Sequence, residues 1–280
     1  MALILPSPQE GQLEPTPEIT VLPMTPLAPL VPTATEQVVP SATETAPPEI
    51  ASTATFGPSP TLGMTSTPLA SATPSGPILD PYTNWGQPNL LDELDSPANW
   101  VGVSGELPDT DYLRLAHTGE QLLVTGKQLL FETWWFTWPV LRNFYLEMTV
   151  QTSTCSGSDT YGVILRGPAS GTNTAHGYIV GFTCDGSYRL RRVDSTSPTY
   201  QAVDLISITP NTAIRAGANQ TNVLGVRAEG GLLTLYANGY QLAQYTDTSY
   251  GDGRFGIYVR SGASAVYTYR LERIAYWVLD

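Results

Sequence analysis

The chain has 280 residues and a formal net charge of −12, and its composition changes abruptly near Pro77. So acidic a chain is excluded from non-specific binding to nucleic acid or an anionic membrane surface, since both need a positive field. No stretch reaches the roughly 20 apolar residues that span a bilayer, and two cysteines with two histidines, in no C-x-x-C or H-x-x-H spacing, give no zinc-site pattern.

Residues 1–77 hold 16 of the 24 prolines, 20 serines and threonines, six glutamates and no Lys, Arg, Cys, Trp or Tyr. With Phe56 as its one aromatic residue, nothing offsets the backbone entropy of ordering, about 1–2 kcal/mol per residue, so this segment is expected to be disordered. Its small variations on Thr-Pro, Ala-Thr and Pro-Ser favour polyproline II, and full extension at about 3.1 Å per residue would give a stalk on the order of 240 Å. Ser and Thr with Pro is also the composition of O-glycosylated stalks. A Pro-rich SH3-type ligand would carry a basic residue beside its PxxP, which is missing here. Met1 to Pro6 lacks a basic n-region and is not a signal peptide as it stands. It reads as the remnant of a longer apolar segment of an exported protein, through which the chain could attach to a cell envelope.

Residues 78–280 contain all 15 tyrosines, all six tryptophans and both cysteines, and read as one domain. Trp85 and Trp100 are packing anchors in a turn-rich opening. The acidic run Asp92-Glu93-Leu94-Asp95 suggests a solvated loop or a calcium ligand rather than paired catalytic acids. Three tryptophans follow within five residues. On a strand Trp134 and Trp138 share one face and Trp135 takes the other, so one face is a candidate sugar-stacking platform, or else packs beneath a loop.

Residues 143–152 alternate cleanly. Phe144, Leu146, Met148 and Val150 point one way; Tyr145, Glu147, Thr149 and Gln151 point the other. Residues 161–167 form a further strand, and 176–193 a hairpin about Asp185-Gly186. A three-residue loop with Gly186 at positive φ sets Phe182 opposite Leu190 and Cys184 opposite Tyr188. Tyr178, Val180, Phe182, Tyr188 and Leu190 then face the core. Ile179, Gly181, Thr183, Arg189 and Arg191 face outward, where Glu147 and Arg166 are expected to join them: a ligand site, or an ordinary wet face of weak ion pairs.

Residues 201–217 read as a connection. Asn222 to Gln244 reads as three strands joined by Glu229-Gly230-Gly231 and Asn238-Gly239, the second pair being a strong hairpin signal because both central residues of a type I′ turn need positive φ. Two or three strands close the chain. Asn219-Gln220-Thr221 is a glycosylation sequon by pattern, and Asp247 and Asp252 are possible calcium ligands without EF-hand spacing. Cys155 and Cys184 suggest one disulfide, closing a loop of about 30 residues, the alternative being two unpaired core thiols.

The order FYLEMTVQT, YGVILRG, GYIVGFTCDGSYRLRRV, NVLGVRAEGGLLTLYANGYQLAQYTD, GRFGIYVRSG, VYTYRLERI resembles the concanavalin A-like lectin/glucanase superfamily over about residues 79–280. More narrowly it is similar to bacterial laminin-G-like and 3-keto-disaccharide hydrolase-type domains of exported proteins. The resemblance implies an all-β jelly-roll sandwich of two antiparallel sheets, with a concave face where relatives bind sugars. The glucanase branch carries an E-x-D-x-x-E strand. Here Glu147 is followed by Met148, Thr149 and Val150, so the second carboxylate that glycoside hydrolysis needs is missing. G-x-S-x-G, H-E-x-x-H and phosphate-loop patterns are absent as well.

The expected function is a non-catalytic, extracellular carbohydrate-binding or adhesive module on a flexible stalk at a bacterial surface. A polysaccharide or glycan is the expected partner, with no nucleic acid and no cofactor beyond possible calcium. Candidate binding residues are Trp134, Trp138, Tyr145, Glu147, Arg166, Arg189 and Arg191, with no catalytic residue assigned. The alternatives are a hydrolase of a modified disaccharide with Glu147 as acid or base, and a structural surface domain without a ligand.

Overall fold

A computed structural model describes residues 76–169, 175–195 and 199–280, apart from the side chain of Trp138; the 1–75 part of the expected stalk lies outside the described residues. After one helical turn, α1 (Pro81–Trp85), the chain runs through β1 (Leu90–Asp92), β2 (Leu113–Thr118), β3 (Gln121–Gly126), β4 (Phe131–Leu141), β5 (Phe144–Thr152), β6 (Thr160–Gly167) and β7 (His176–Thr183). It continues through β8 (Ser187–Asp194), β9 (Gln201–Pro210), β10 (Thr221–Glu229), β11 (Leu232–Ala237), β12 (Tyr240–Thr246), β13 (Gly253–Ser261) and β14 (Tyr267–Val278). The strands form a jelly-roll sandwich of two antiparallel sheets. One has eight strands, in the order β12-β11-β10-β5-β14-β3-β2 with β1 also on β14, and the other has six, β4-β13-β6-β7-β8-β9.

The alternation of β5 fixes its place between the layers. Phe144, Leu146, Met148 and Val150 are fully buried in one cluster with Val163, Leu165, Val180 and Phe182 of the facing sheet, each worth about 1.5–3 kcal/mol of apolar burial. The β10-β11-β12 meander forms one edge of the eight-stranded sheet, and Asn238 and Gly239 both have positive φ, 51° and 84°, as the Asn-Gly turn requires. Cys155 and Cys184 form a disulfide with a Cα–Cα separation of 5.4 Å. Among the described residues no helix is long and apolar enough to cross a membrane.

Three local expectations are corrected. The β7–β8 pairing sets Phe182 opposite Tyr188 and Val180 opposite Leu190, two residues from the expected register. The period-2 pleat keeps every side chain on its expected face, so the hydrophobic pattern could not tell the two registers apart. Residues 201–210 are a strand, β9, and not a connection; two register shifts against β8 break the alternation that would have marked it. Asp92 is not in a solvated loop: at 6% exposure it accepts hydrogen bonds from the Leu94 amide, Asn99 Nδ2 and Trp100 Nε1, because buried Leu94 and Trp100 draw the turn inward.

Candidate functional site

The outer face of the six-stranded sheet is built from the residues that alternate away from the core. On β8 Tyr188 and Leu190 are core residues, while Arg189 and Arg191 lie opposite Gly181 and Ile179 of β7. Gly162 of β6 pairs with Gly181, and Tyr258 of β13 pairs with both Gly162 and Trp134 of β4. The glycines leave space for an aromatic ring. A Cβ on Gly181 would lie 2.7 Å from Thr160 Cγ2 and 3.6 Å from Tyr258 Cε1, so the Tyr258 ring occupies the trough and is fully buried.

Above that ring lies a closed polar network centred on Glu132. Arg191 Nη1 donates to both carboxylate oxygens at 2.6 and 2.7 Å, Tyr258 OH donates at 2.8 Å and Tyr200 OH at 2.7 Å. Glu132 and Arg191 are on β4 and β8, four interstrand spacings apart, roughly 19 Å in a flat sheet. Extended Glu and Arg side chains cannot span that distance. The sheet therefore curls until its outer face is concave, and the ion pair bridges the concavity. Arg189 Nη2 donates to Asp204 Oδ1 at 2.9 Å, and Arg191 Nε approaches the same oxygen to 2.9 Å without hydrogen-bond alignment.

Electrostatics set what this network can do. Burial pushes the Glu132 carboxyl up, but the Tyr200 hydrogen bond, the Arg191 charge and the Tyr258 hydrogen bond together outweigh it, and the group is held below its ordinary range. Burial raises both tyrosine hydroxyls, and the neighbouring carboxylate raises them further, so they stay protonated donors. The result is a fixed, ionised, hydrogen-bond-saturated carboxylate with no proton to give. Beside it Trp134 stacks on Tyr200, ring centroids 6.5 Å apart at 25°. Tyr200 is 46% exposed and the Asp204 side chain 48%, so an aromatic face and a charged acceptor both reach solvent next to the network.

Of the expected site residues, Trp134, Arg189 and Arg191 come together here. Trp138 lies on the same strand, its side chain outside the described residues. Trp135 points to the core and donates from Nε1 to the Trp100 carbonyl. Arg166 is not on this face. It has φ of 54° at an irregularity in β6, is fully buried, and donates to the carbonyls of Tyr250 and Arg142, so the irregularity turns it from the outer row into a tie between two loops. Glu132, Tyr200, Asp204 and Tyr258 were not foreseen. Glu132 could have been found, since it shares the parity of Trp134 on β4; the others depend on β9 and on pairing across the sheet.

Tyr145 and Glu147 lie on the outer face of the opposite sheet, away from the arginines. Glu147 is flanked by Gly225 and Ala275 and accepts from Tyr145 OH at 2.7 Å. Trp85 of α1 packs on Tyr145, and Arg227 sits over Trp85. Burial pushes the Glu147 carboxyl up; the Tyr145 hydrogen bond and Arg273 pull it back only in part, and Asp80 adds to the rise. The two core layers separate Glu147 from Glu132 and Asp204, so these carboxylates do not flank one bond. Among the described residues no three His, Cys, Asp or Glu side chains converge as a metal site, and Asp247 accepts from Tyr178 OH, the Ser249 amide and Arg192.

No protein-family model and no curated protein sequence matches this chain. Among solved structures it is similar to the carbohydrate-binding module CBM66 from Bacillus subtilis, at 14% identity over 60% of this chain and 94% of that one, with a TM-score of 0.46. It is also similar to the Caenorhabditis elegans galectin LEC-6, at 14% identity over 49% of this chain and 83% of that one, TM-score 0.34. A third likeness is to a Bacteroides ovatus mixed-linkage glucan GH16 protein, at 7% identity over 60% and 86%, TM-score 0.40. At these scores none of the three assigns a role to any residue of this chain.

Proposed function

We propose that residues 78–280 are a non-catalytic carbohydrate-binding module, carried outside the cell on the Pro/Thr-rich segment 1–77. The observation that supports this reading is the concave face of the six-stranded sheet, where half-buried Trp134 and exposed Tyr200 stack beside the Arg189, Arg191, Asp204 and Glu132 network. Sugars offer apolar ring faces and several hydroxyls, and they are bound by an aromatic surface with a few fixed polar groups at its edge. Side chains already locked by one another lose little entropy when a ligand arrives. The disulfide fits an oxidising, extracellular setting.

Catalysis forms no part of the proposal. Glycoside hydrolysis uses one protonated and one ionised carboxyl across a bond, and here Glu132, held ionised by Arg191, Tyr200 and Tyr258, has no proton to give. Affinity electrophoresis of the full chain against a broad panel of soluble polysaccharides tests the reading. Retardation by at least one polysaccharide, abolished by Tyr200→Ala and by Trp134→Ala, is the expected result; no retardation across the panel would refute it.

A further inference from the structure

A groove of about 640 Å³ opens at one end of the sandwich, between the Asp185-Gly186 hairpin tip and the 210–217 loop. Its walls are more tightly held than a surface connection requires. Asn222, fully buried in β10, accepts from the Arg215 amide through Oδ1 and donates from Nδ2 to the Arg215 carbonyl and to Tyr161 OH, each at 2.9 Å. Asn238 Nδ2 donates to the Ala213 carbonyl at 2.7 Å and to Asn222 Oδ1 at 2.9 Å. The Gly217 amide donates to the Cys184 carbonyl, the Asn211 amide to the Gly186 carbonyl, and Cys184 is itself tied to Cys155 by the disulfide. Buried amides are costly unless satisfied. Here their hydrogen bonds fix the backbone of one loop from both sides, the preorganisation a binding site needs.

The side chains at the rim are not consumed in the same way. Asp185 uses Oδ1 to accept from Thr183 OH and the Ser187 amide, and its Oδ2 has no hydrogen bond among the described residues. Asn211 uses Oδ1 within its own turn, and its Nδ2 has no hydrogen bond among the described residues. Among the described residues Arg215 spends only Nη1, on the Thr221 carbonyl, so Nε and Nη2 remain there as a forked donor pair. Asp185 and Arg215 are exposed, and Gly186, Pro210 and Ala216 give the groove an apolar lining.

We propose that this groove is a second binding site, separate from the concave face, for a uronic-acid unit of an acidic polysaccharide. Arg215 takes the carboxylate with its two free N–H groups, the paired geometry that suits guanidinium to carboxylate. Asp185 Oδ2 accepts from ring hydroxyls, Asn211 Nδ2 donates to a hydroxyl or ring oxygen, and the sugar ring lies on the apolar lining. The inference does not depend on the concave-face reading, because the two sites share no residue.

Isothermal titration calorimetry of the full chain with oligogalacturonate and oligoalginate, and with the methyl-esterified neutral form of each, tests it. At least one acid form is expected to bind at least tenfold more tightly than its ester. Arg215→Gln should remove that preference, and Asp185→Asn should weaken both forms while keeping its Oδ1 bonds. Equal affinity for acid and ester, no binding of any form, or unaltered binding by Arg215→Gln would each overturn the proposal.

Discussion

Replacing Arg191 by methionine keeps the apolar stem but leaves Glu132 ionised with no cation beside it. The Glu132 and Arg191 side chains are 14% and 16% exposed, close to the buried regime in which deleting one partner costs about 3–5 kcal/mol. Tyr200 and Tyr258 remain as donors to the carboxylate and offset part of this, so a loss of about 2–4 kcal/mol is expected. Glu132→Gln should cost less, about 1–2 kcal/mol, because Arg191 keeps Asp204 and the amide still accepts from a tyrosine. Urea unfolding at neutral pH, followed by circular dichroism, measures both. Acidity provides a second axis. In the native protein the folded Glu132 carboxyl lies below its ordinary value of 4.5, so its contribution is fully present above that value and lost as pH falls through the folded one. In Arg191→Met burial is opposed only by the Tyr200 and Tyr258 hydrogen bonds and the folded carboxyl rises relative to the native protein, so the variant loses less stability in acid and its gap to the native protein narrows. Equal losses in the two variants, or a gap that widens below pH 4.5, would refute the network as described.

Three further outcomes follow from individual residues. Gly181→Ala should lose about 1–3 kcal/mol in urea unfolding, since its Cβ would lie 2.7 Å from Thr160 Cγ2. Glu147→Gln should be more stable than the native chain at neutral pH. The folded Glu147 carboxyl is raised by burial, so the stability it contributes is present in acid and lost as pH rises through the folded value; unfolding at neutral pH and in acid should show the variant's advantage disappear in acid. Cys155→Ser with Cys184→Ser should cost about 3.5 kcal/mol by loop-closure entropy, given the sequence separation of 29, measured against the oxidised native chain.

The fold was legible wherever a local pattern had a single physical solution. The alternation of Phe144 to Gln151 placed β5 between core and surface, and Asn238-Gly239 placed the last turn of the meander, because each depends only on neighbours in sequence. The two-residue error at Phe182 and Tyr188 came from a pattern that is blind to even shifts. The site was legible in halves. Arg189, Arg191 and Trp134 followed from parity, but the partner of Arg191, Glu132, is reached across four interstrand spacings by the curl of the sheet, which no window of sequence encodes. Glu147 shares the alternation of an outer face, and parity alone does not say which sheet that face belongs to. Arg166 left its row through one residue at positive φ, an irregularity without a Gly or Asn to announce it.

On the proposed reading, the concave face binds sugar through Trp134, Tyr200 and the surrounding charges. Chemical-shift mapping on the isotopically labelled chain, titrated with the polysaccharide that most retards it, tests this directly. The largest perturbations are expected on the indole N–H of Trp134 and the amides of Tyr200, Asp204, Arg189 and Arg191. Perturbations confined to the outer face of the eight-stranded sheet, around Tyr145 and Glu147, would contradict it.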